Sequence, residues 1–479
     1  MSFPTSADCT PYRFRCVLTS FLQISGLAFA KVLAEEDIQQ ACDEEGVDFG
    51  QPHKDDQKVI YTPAVTLWAF LSQVLFKDEQ RSCLAATARV VVFMASLEIR
   101  MSDNSGAYCR ARAKLPEPLL QRLTLNAARG CEKALPKKWL WHNRHVYLAD
   151  GTTVSMPDTP ANQDAYPQHG TQKKGVGFPI ARLVVLLSLA TAMLSGMALG
   201  PYQGKETGEP ALLRELLVHL MLGDILLCDR CYCSYFLIVM LRKMGVDVVT
   251  RLHQMRTANF CRGRRLAKGD HVVRWPRPDK PDWMDEATYE SLPKFLEVRE
   301  VQVHVDQPGF RSESLVVVTT LLDAEKYRRE DLAELYHQRW LAELDIRAIK
   351  IQLGMDVLRC QSPEMVRREI WTCLLAYNLI RKTILESAKR SDLSPRQISF
   401  TAAMQKVAAS WVSVLVLSEA SLALLVEADL EHLARHRVGH RPNRVEPRKV
   451  KRRPKPHKLL TEPRDTARAK ILSGQEGQD

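Results

Sequence analysis

Two aspartates and one four-residue pattern are the positions in this chain whose types and spacing could do chemistry. Asp150 ends the apolar run HVYLAD (145–150), and Asp229 ends DILLCD (224–229). Both runs read as strands, and strand ends in α/β sheets are where ligands gather, because rigid backbone fixes the side chain placed there. A lone strand-end aspartate also serves as a helix cap or turn residue, a reading that two in one sheet weaken. The pattern is Tyr336, Arg339, Glu343 and Lys350 within LYHQRWLAELDIRAIK (335–350). At about 100° per residue the four share a sector of about 60° on one helix, a polar stripe of acid and base. Asp345 points about 160° away from Glu343 and cannot serve the same site. The alternative is a solvated ion pair, Arg339 with Glu343 at i, i+4, worth a few tenths of a kcal/mol.

The elements that must hold these residues follow from periodicity. Residues 1–140 read as helices: 63–76 and 82–97 are apolar at helical spacing, and Pro118 opens another running toward Arg129. Within NSGAYCRARAK (104–114) three basic residues surround Tyr108, which suits either a grip on phosphates or a solvated helix face. From Arg144 short apolar runs alternate with helices. Strands are predicted at 145–150, 224–229 and 246–252, with helices at 211–222 and 235–243, which means an α/β layer fold. The twenty-residue run 180–199 has the length of a membrane span but carries Arg182, two serines, a threonine and Gly196. Two buried strands joined by a tight turn at Ser195 and Gly196 fit it better.

Residues 253–322 begin basic and proline-rich. FLEVREVQVHV (295–305) then alternates strictly, and SLVVVTTLL (314–322) follows the turn DQPGF, so a hairpin-rich insertion in the α/β domain is expected. Long helices return from Glu330. The predicted division is a helical region at 1–140, an α/β domain split into 141–252 and 323–395 around the β-rich insertion, a helical region at 396–435, and a basic tail at 436–479.

Composition sets outer limits. A chain of 479 residues, 46% hydrophobic and 26% charged, is long enough for roughly three domains and excludes disordered, collagenous and disulfide-scaffold classes. From residue 435 to 470 there are fourteen Lys or Arg against three acids, an excess equal to the whole chain's net charge of +11. The tail is therefore cationic and the rest close to neutral, and its run RKVKRRPKPHK (448–458) suits either a phosphate backbone or a disordered solubilising end. The twelve cysteines are scattered and the N-terminus has no charged-then-apolar leader, so a reduced, cytoplasmic, non-membrane protein is expected.

The spacing Tyr336, Arg339, Glu343, Lys350 resembles the YREK signature of bacterial insertion-sequence transposases of the DDE type. LADGTTVSMPD (148–158) and LLCDRCYCSYF (226–236) resemble that family's first and second aspartate regions in the same order, and NSGAYCRARAKLP is similar to its N-terminal region. The likeness covers about residues 80–385. It implies a ribonuclease-H-like catalytic core, with Asp150, Asp229 and Glu343 as catalytic acids binding Mg²⁺ or Mn²⁺, and Tyr336, Arg339 and Lys350 as contacts to transposon-end DNA. It also implies double-stranded DNA as partner and a homodimer on that DNA, nucleoid-associated when bound. Cys231 departs from the small glycine many members carry after Asp-Arg, which leaves the shape of that turn open.

The physical chemistry is consistent with what the resemblance implies. Phosphodiester cleavage stabilises an attacking and a leaving oxygen in line, which two carboxylate-held divalent ions about 3.5–4 Å apart accomplish. Arg offers a bidentate fork to flanking phosphates, Lys a point charge, and Tyr336 a hydroxyl or a stacking face. Arg262, Arg264, Arg265, Lys268 and Arg274 beside Trp275 could hold distorted DNA, with Trp283 a second aromatic candidate; an exposed basic hairpin is the alternative. Cys228, Cys231 and Cys233 begin like a zinc knuckle, but no second close pair follows, so packed thiols are expected. Rival readings are a two-metal nuclease or resolvase without strand transfer, and a domesticated DNA-binding protein without catalysis.

Overall fold

A computed structural model describes residues 35–47, 60–76, 78–96, 99–133, 135–304, 314–413, 419–439 and 459–474. The turn DQPGF and the basic run 448–458 lie outside these residues. The N-terminal helices are α1 (Glu35–Glu44), α2 (Pro63–Leu75), α3 (Cys83–Ser96), α4 (Gly106–Lys114) and α5 (Glu117–Glu132). Helix α2 starts where Pro63, which needs no N–H donor, follows Thr62, whose hydroxyl accepts from Val65 N at 3.3 Å. Every residue of α2 is buried, making it the axis of this region.

Next come β1 (Val146–Ser155), α6 (Pro160–Ala165), β2 (Ile180–Ser188), β3 (Leu194–Pro201), α7 (Glu209–Leu216), β4 (Ile225–Cys228), α8 (Tyr235–Lys243) and β5 (Asp247–Arg251). Residues 253–322 supply β6 (Arg264–Ala267), β7 (Asp270–Pro276), α9 (Glu286–Glu290), β8 (Phe295–His304) and β9 (Ser314–Thr319). The chain continues through α10 (Arg329–His337), α11 (Trp340–Arg347), a π-helical turn (Ala348–Gln352), α12 (Pro363–Arg390), α13 (Phe400–Ser413), α14 (Glu419–Arg435) and α15 (Arg464–Leu472). Among the described residues, no helix is long and apolar enough to cross a membrane.

All nine strands join one sheet in the order β3-β2-β1-β4-β5-β9-β8-β7-β6. An antiparallel meander, β3-β2-β1, is followed by β4, parallel to β1, and β5, parallel to β4, the order of a ribonuclease-H-like core. Strands β9, β8, β7 and β6 then extend the same sheet antiparallel, so the inserted segment continues the sheet beyond β5.

Alternate residues of the central strands enter two cores, one per face. Val146, Leu148, Ile225, Leu227 and Val249 pack with α2, α5 and α12, whereas Tyr147, Ala149, Leu226, Cys228 and Val248 pack with α7 and α8. Coverage on both faces is why β4 is apolar throughout, as a parallel strand must be.

The β2–β3 connection departs from the sequence reading. The turn falls between Ser188 and Leu194, with Ala192 at φ 60°, and Ser195 and Gly196 lie inside β3. Gly196 is small because a Cβ there would come within 2.7 Å of the His219 ring, so close packing explains it, not turn geometry.

At the start of the core, His145 Nδ1 lies 3.2 Å from Glu132 Oε2, and Thr191 donates to Glu132 Oε1 at 2.6 Å. The hydrogen bond to Glu132 raises the His145 pKa against the opposing effect of burial. The folded pKa therefore exceeds the unfolded one, and the pair's stabilisation is complete below the ordinary value of 6.5 and fades as pH climbs through the raised folded value. His145→Gln is expected to lower the melting temperature more at pH 6 than at pH 9; equal losses at both pH values would remove the charge from the explanation.

Candidate active site at the ends of the parallel strands

Register brings the two aspartates together. Ala149 pairs with Cys228 in parallel alignment, so Asp150 and Asp229 are the next residues along adjacent strands. Asp229 follows the end of β4, but Asp150 does not end its strand as expected, because β1 runs on to Ser155 in its pairing with β2. Parity puts them on the same face: Asp150 continues the series of Val146 and Leu148, and Asp229 that of Ile225 and Leu227. Asp150 Oδ1 accepts from Gly151 N at 2.8 Å, while the Asp229 carbonyl accepts from Thr250 Oγ1 at 2.9 Å.

Helix α11 covers that face, with Ala342 and Ile346 in its core. Glu343 lies on the next part of its surface and accepts from Arg339 Nη2 at 2.8 Å. Arg339 Nη1 stands 4.0 Å from Asp150 Oδ2, so one guanidinium spans the first and third acids. Burial pushes the Asp150 carboxyl up from an ordinary 3.8 to about 6; the Gly151 N–H and Arg339 oppose the shift, and Glu343 and Glu209 add to it.

The single-helix reading of the four-residue pattern is corrected. The helix tightens at Gln338 and Arg339, where Arg339 N bonds Tyr336 O (3.1 Å) and Ala342 N bonds Arg339 O (3.0 Å), and it widens into the π-turn that carries Lys350. No glycine or proline marks either change, so periodicity could not reveal them. The i, i+3 tightening keeps Tyr336 and Arg339 on one side, and π-turns of this kind are frequent at functional sites. Lys350 Nζ reaches Asp356 Oδ1 at 3.1 Å. Backbone bonds from Ser155 N to Asp356 O (3.3 Å) and from Leu358 N to Ser155 O (2.9 Å) then tie the segment after Lys350 to the end of β1.

Tyr336 is 8% exposed, with its ring in the core. Burial, and then the charge of Asp229, raise the pKa of its hydroxyl. Asp345 lies opposite, as the helical wheel requires. It is buried and salt-bridged to Arg381 at 2.7 Å and Arg396 at 3.0 Å.

Arg264 and Arg265 are exposed on edge strand β6, and the alternating basic stretch is accessible. Trp275 is not. It is 5% exposed, its Nε1 donates to Glu300 Oε1 at 3.0 Å, and Arg256 covers its ring at 4.1 Å, so the stacking face expected from sequence is used internally. Alternation along β7 places its ring inward, a signal the basic neighbours obscured. Trp283 is half-buried beneath Arg214, 3.9 Å from its ring. In the 104–114 segment, Tyr108 and Arg112 both bond Gln73 Oε1, at 2.5 and 3.0 Å, leaving Arg110 and Lys114 on the outer side.

Glu209, the first residue of α7, is the acid that sequence reasoning missed. An acid in a helix's first turn is ordinary and gave no signal. Here its carboxylate lies against Gly151 and accepts from Tyr232 Oη at 3.2 Å, with the Cys231 thiol at 3.7 Å. Cys231 thus occupies a 3₁₀ turn, Arg230–Tyr232, from which Cys231 and Tyr232 reach Glu209; Cys228 and Cys233 are buried thiols.

Among the described residues, no three His, Cys, Asp or Glu side chains stand close enough to hold a metal ion. The donor chemistry nonetheless fits one. The acids supply hard carboxylate oxygens, Asp150 is pushed toward its neutral form by burial, with Glu343 and Glu209 adding to the shift, and the charge spanning Asp150 and Glu343 comes from Arg339.

The sequence that carries these residues matches a known family. Residues 141–379 match the Transposase DDE domain family, a span containing all three acids and the four-residue pattern. The chain belongs to the DDE transposases of insertion sequences. It is similar to the transposase InsG for insertion sequence element IS4 of Escherichia coli K12, 26% identical over 357 residues, covering 73% of this chain and 76% of the relative. A shorter stretch of 81 residues is 36% identical to the transposase for insertion sequence element IS421 of Escherichia coli, 17% of this chain and 21% of the relative. A solved piggyBac transposase synaptic complex with hairpin DNA aligns over 86% of this chain and 84% of its own, with TM-score 0.42 and 10% identity, too loose a likeness to argue from. DDE transposases generally use divalent metals.

Proposed function

We propose that Asp150, Asp229 and Glu343 are the catalytic acids with which this transposase cuts the ends of its insertion sequence and joins them to target DNA. The observation that carries this reading is the register of Asp150 beside Asp229 with Arg339 reaching from Asp150 to Glu343. The three carboxylates would hold Mg²⁺, or Mn²⁺ in its place, which supplies charge stabilisation to the attacking and leaving oxygens of an in-line displacement. Arg339, released from the acids it now spans, and Lys350 neutralise flanking phosphates, and the Tyr336 hydroxyl donates to another.

Two phosphoryl transfers follow. Water attacks phosphorus at the element's end, the P–O3′ bond breaks, and the 3′-oxygen leaves as a free hydroxyl. That hydroxyl then attacks a target phosphodiester, forming a new P–O3′ bond as the target's own 3′-oxygen departs with the proton.

Recognition of two ends calls for a homodimer on DNA. Arg264 and Arg265 on β6 and the basic tail supply phosphate contacts that carry no sequence information. The domain divisions read from sequence, and a cytoplasmic, nucleoid-associated location, belong to the same proposal.

Incubating the protein with DNA bearing the element's terminal repeats and Mg²⁺ is expected to yield strand-joined products on a gel. Cleavage without joining would point instead to a two-metal nuclease, and binding without either reaction to a domesticated DNA-binding protein.

A further inference from the structure

Glu209 approaches the candidate site from the opposite face of the sheet. Its helix packs Leu212, Leu213 and Leu216 into the second core, and its carboxylate enters the crevice between β1 and the turn after β4. Two donors act on one oxygen: Tyr232 Oη at 3.2 Å and the Cys231 thiol at 3.7 Å both address Oε2. Tyr232 is fully buried, so its hydroxyl is a fixed donor and orients the carboxylate.

On the other side the carboxylate presses on Gly151. A Cβ built there would lie 2.3 Å from Glu209 Cδ and 2.5 and 2.7 Å from its two oxygens. The empty side chain at 151 therefore makes room for an acid. Gly151 follows Asp150, and the turn holding Cys231 and Tyr232 follows Asp229, so Glu209 bridges the two segments that carry the first and second acids. It is near enough for its charge to act on Asp150.

We propose that Glu209 is a fourth carboxylate of this active centre, acting toward the same divalent cation as Asp150. The inference rests on the reading of Asp150, Asp229 and Glu343 as the acids of the site. A carboxylate oriented by two donors over a cleared glycine is a preorganised ligand, and its loss weakens metal binding without disturbing the backbone.

The test uses the full chain and three readouts: Mn²⁺ binding without DNA by electron paramagnetic resonance, the Mg²⁺ concentration for half-maximal end cleavage, and melting without metal. Glu209→Gln, which retains an acceptor for Tyr232, is expected to weaken Mn²⁺ binding about 10-fold and to shift the Mg²⁺ midpoint upward by a similar factor, with unchanged metal-free melting. Gly151→Ala, which displaces the carboxylate but keeps its charge, is expected to move both midpoints in the same direction by less. If Glu209→Gln does not fold, Gly151→Ala decides alone.

Unchanged Mn²⁺ affinity in the variants overturns the proposal, and so does a fall in metal-free melting that matches the lost affinity, which would make Glu209 structural. Glu343→Gln separates the layers. If it too binds Mn²⁺ and cleaves as the parent does, the underlying site reading fails; if it is inactive while Glu209→Gln behaves as the parent, this inference alone fails.

Discussion

Glu343→Gln is expected to reduce cleavage of terminal-repeat DNA by at least about a thousandfold while end binding and melting temperature stay near those of the parent protein. The substitution is nearly isosteric, and the amide oxygen still accepts from Arg339, so the fold of α11 is preserved. What it removes is a charge that the proposed reaction uses. Glu343 is 37% exposed, and its interaction with Arg339 holds little of the fold together, which is why loss of activity without loss of stability is the discriminating result. Gel assays of cleavage and band-shift assays of binding, run on the same preparation, read the two quantities. Cleavage within a few-fold of the parent would end the assignment of Glu343 as a catalytic acid.

Two residues further along the same helix the expectation reverses. Asp345→Asn is expected to destabilise the protein by about 3–5 kcal/mol, measured by urea unfolding, because it leaves buried guanidinium charge uncompensated. Asp345 is 1% exposed and salt-bridged to both Arg381 and Arg396; Arg396 also donates to the carbonyls of Ser188 and Leu189 in the β2–β3 turn. Arg381 is held in turn by the Tyr377 hydroxyl, 3.0 Å away, and Tyr377 donates to Ala192 O at 2.7 Å. The network locks α11 and α12 to the meander. Domains of ordinary stability have about 5–15 kcal/mol to lose, so this variant threatens folding itself. A loss below about 1 kcal/mol would show that the arginines find water or other partners.

How much of this was legible in the sequence depended on what each signal measured. Strand β4 was clear because a parallel strand covered on both faces is apolar throughout, and Asp229 was visible as the acid that ends it; Asp150 was visible only as the end of an apolar run, since β1 continues through polar residues to Ser155. The opposed directions of Glu343 and Asp345 followed from helical geometry, although the helix itself changes pitch at Arg339 and again at Ala348. Those changes come from backbone bonding that no residue type announces. Gly196 was misjudged because glycine marks turns and tight packing alike, and only His219 beside it tells which. Trp275 was misjudged because its basic neighbours face outward while its own ring turns in toward Glu300. Glu209 was invisible because its significance lies in what it meets, Gly151 and Tyr232, which are 58 positions before it and 23 after only along the chain, not in space.

The short backbone seam joining Ser155 to Asp356 and Leu358 closes a loop of some two hundred residues, its ends 201 positions apart. Lengthening such a loop is cheap, since each doubling adds only about 0.6 kcal/mol of closure entropy. Everything strung between the seam's two sides can therefore grow, shrink or be exchanged over evolutionary time while the stitched rim stays put. Relatives that differ widely in overall length can in this way preserve one cutting edge.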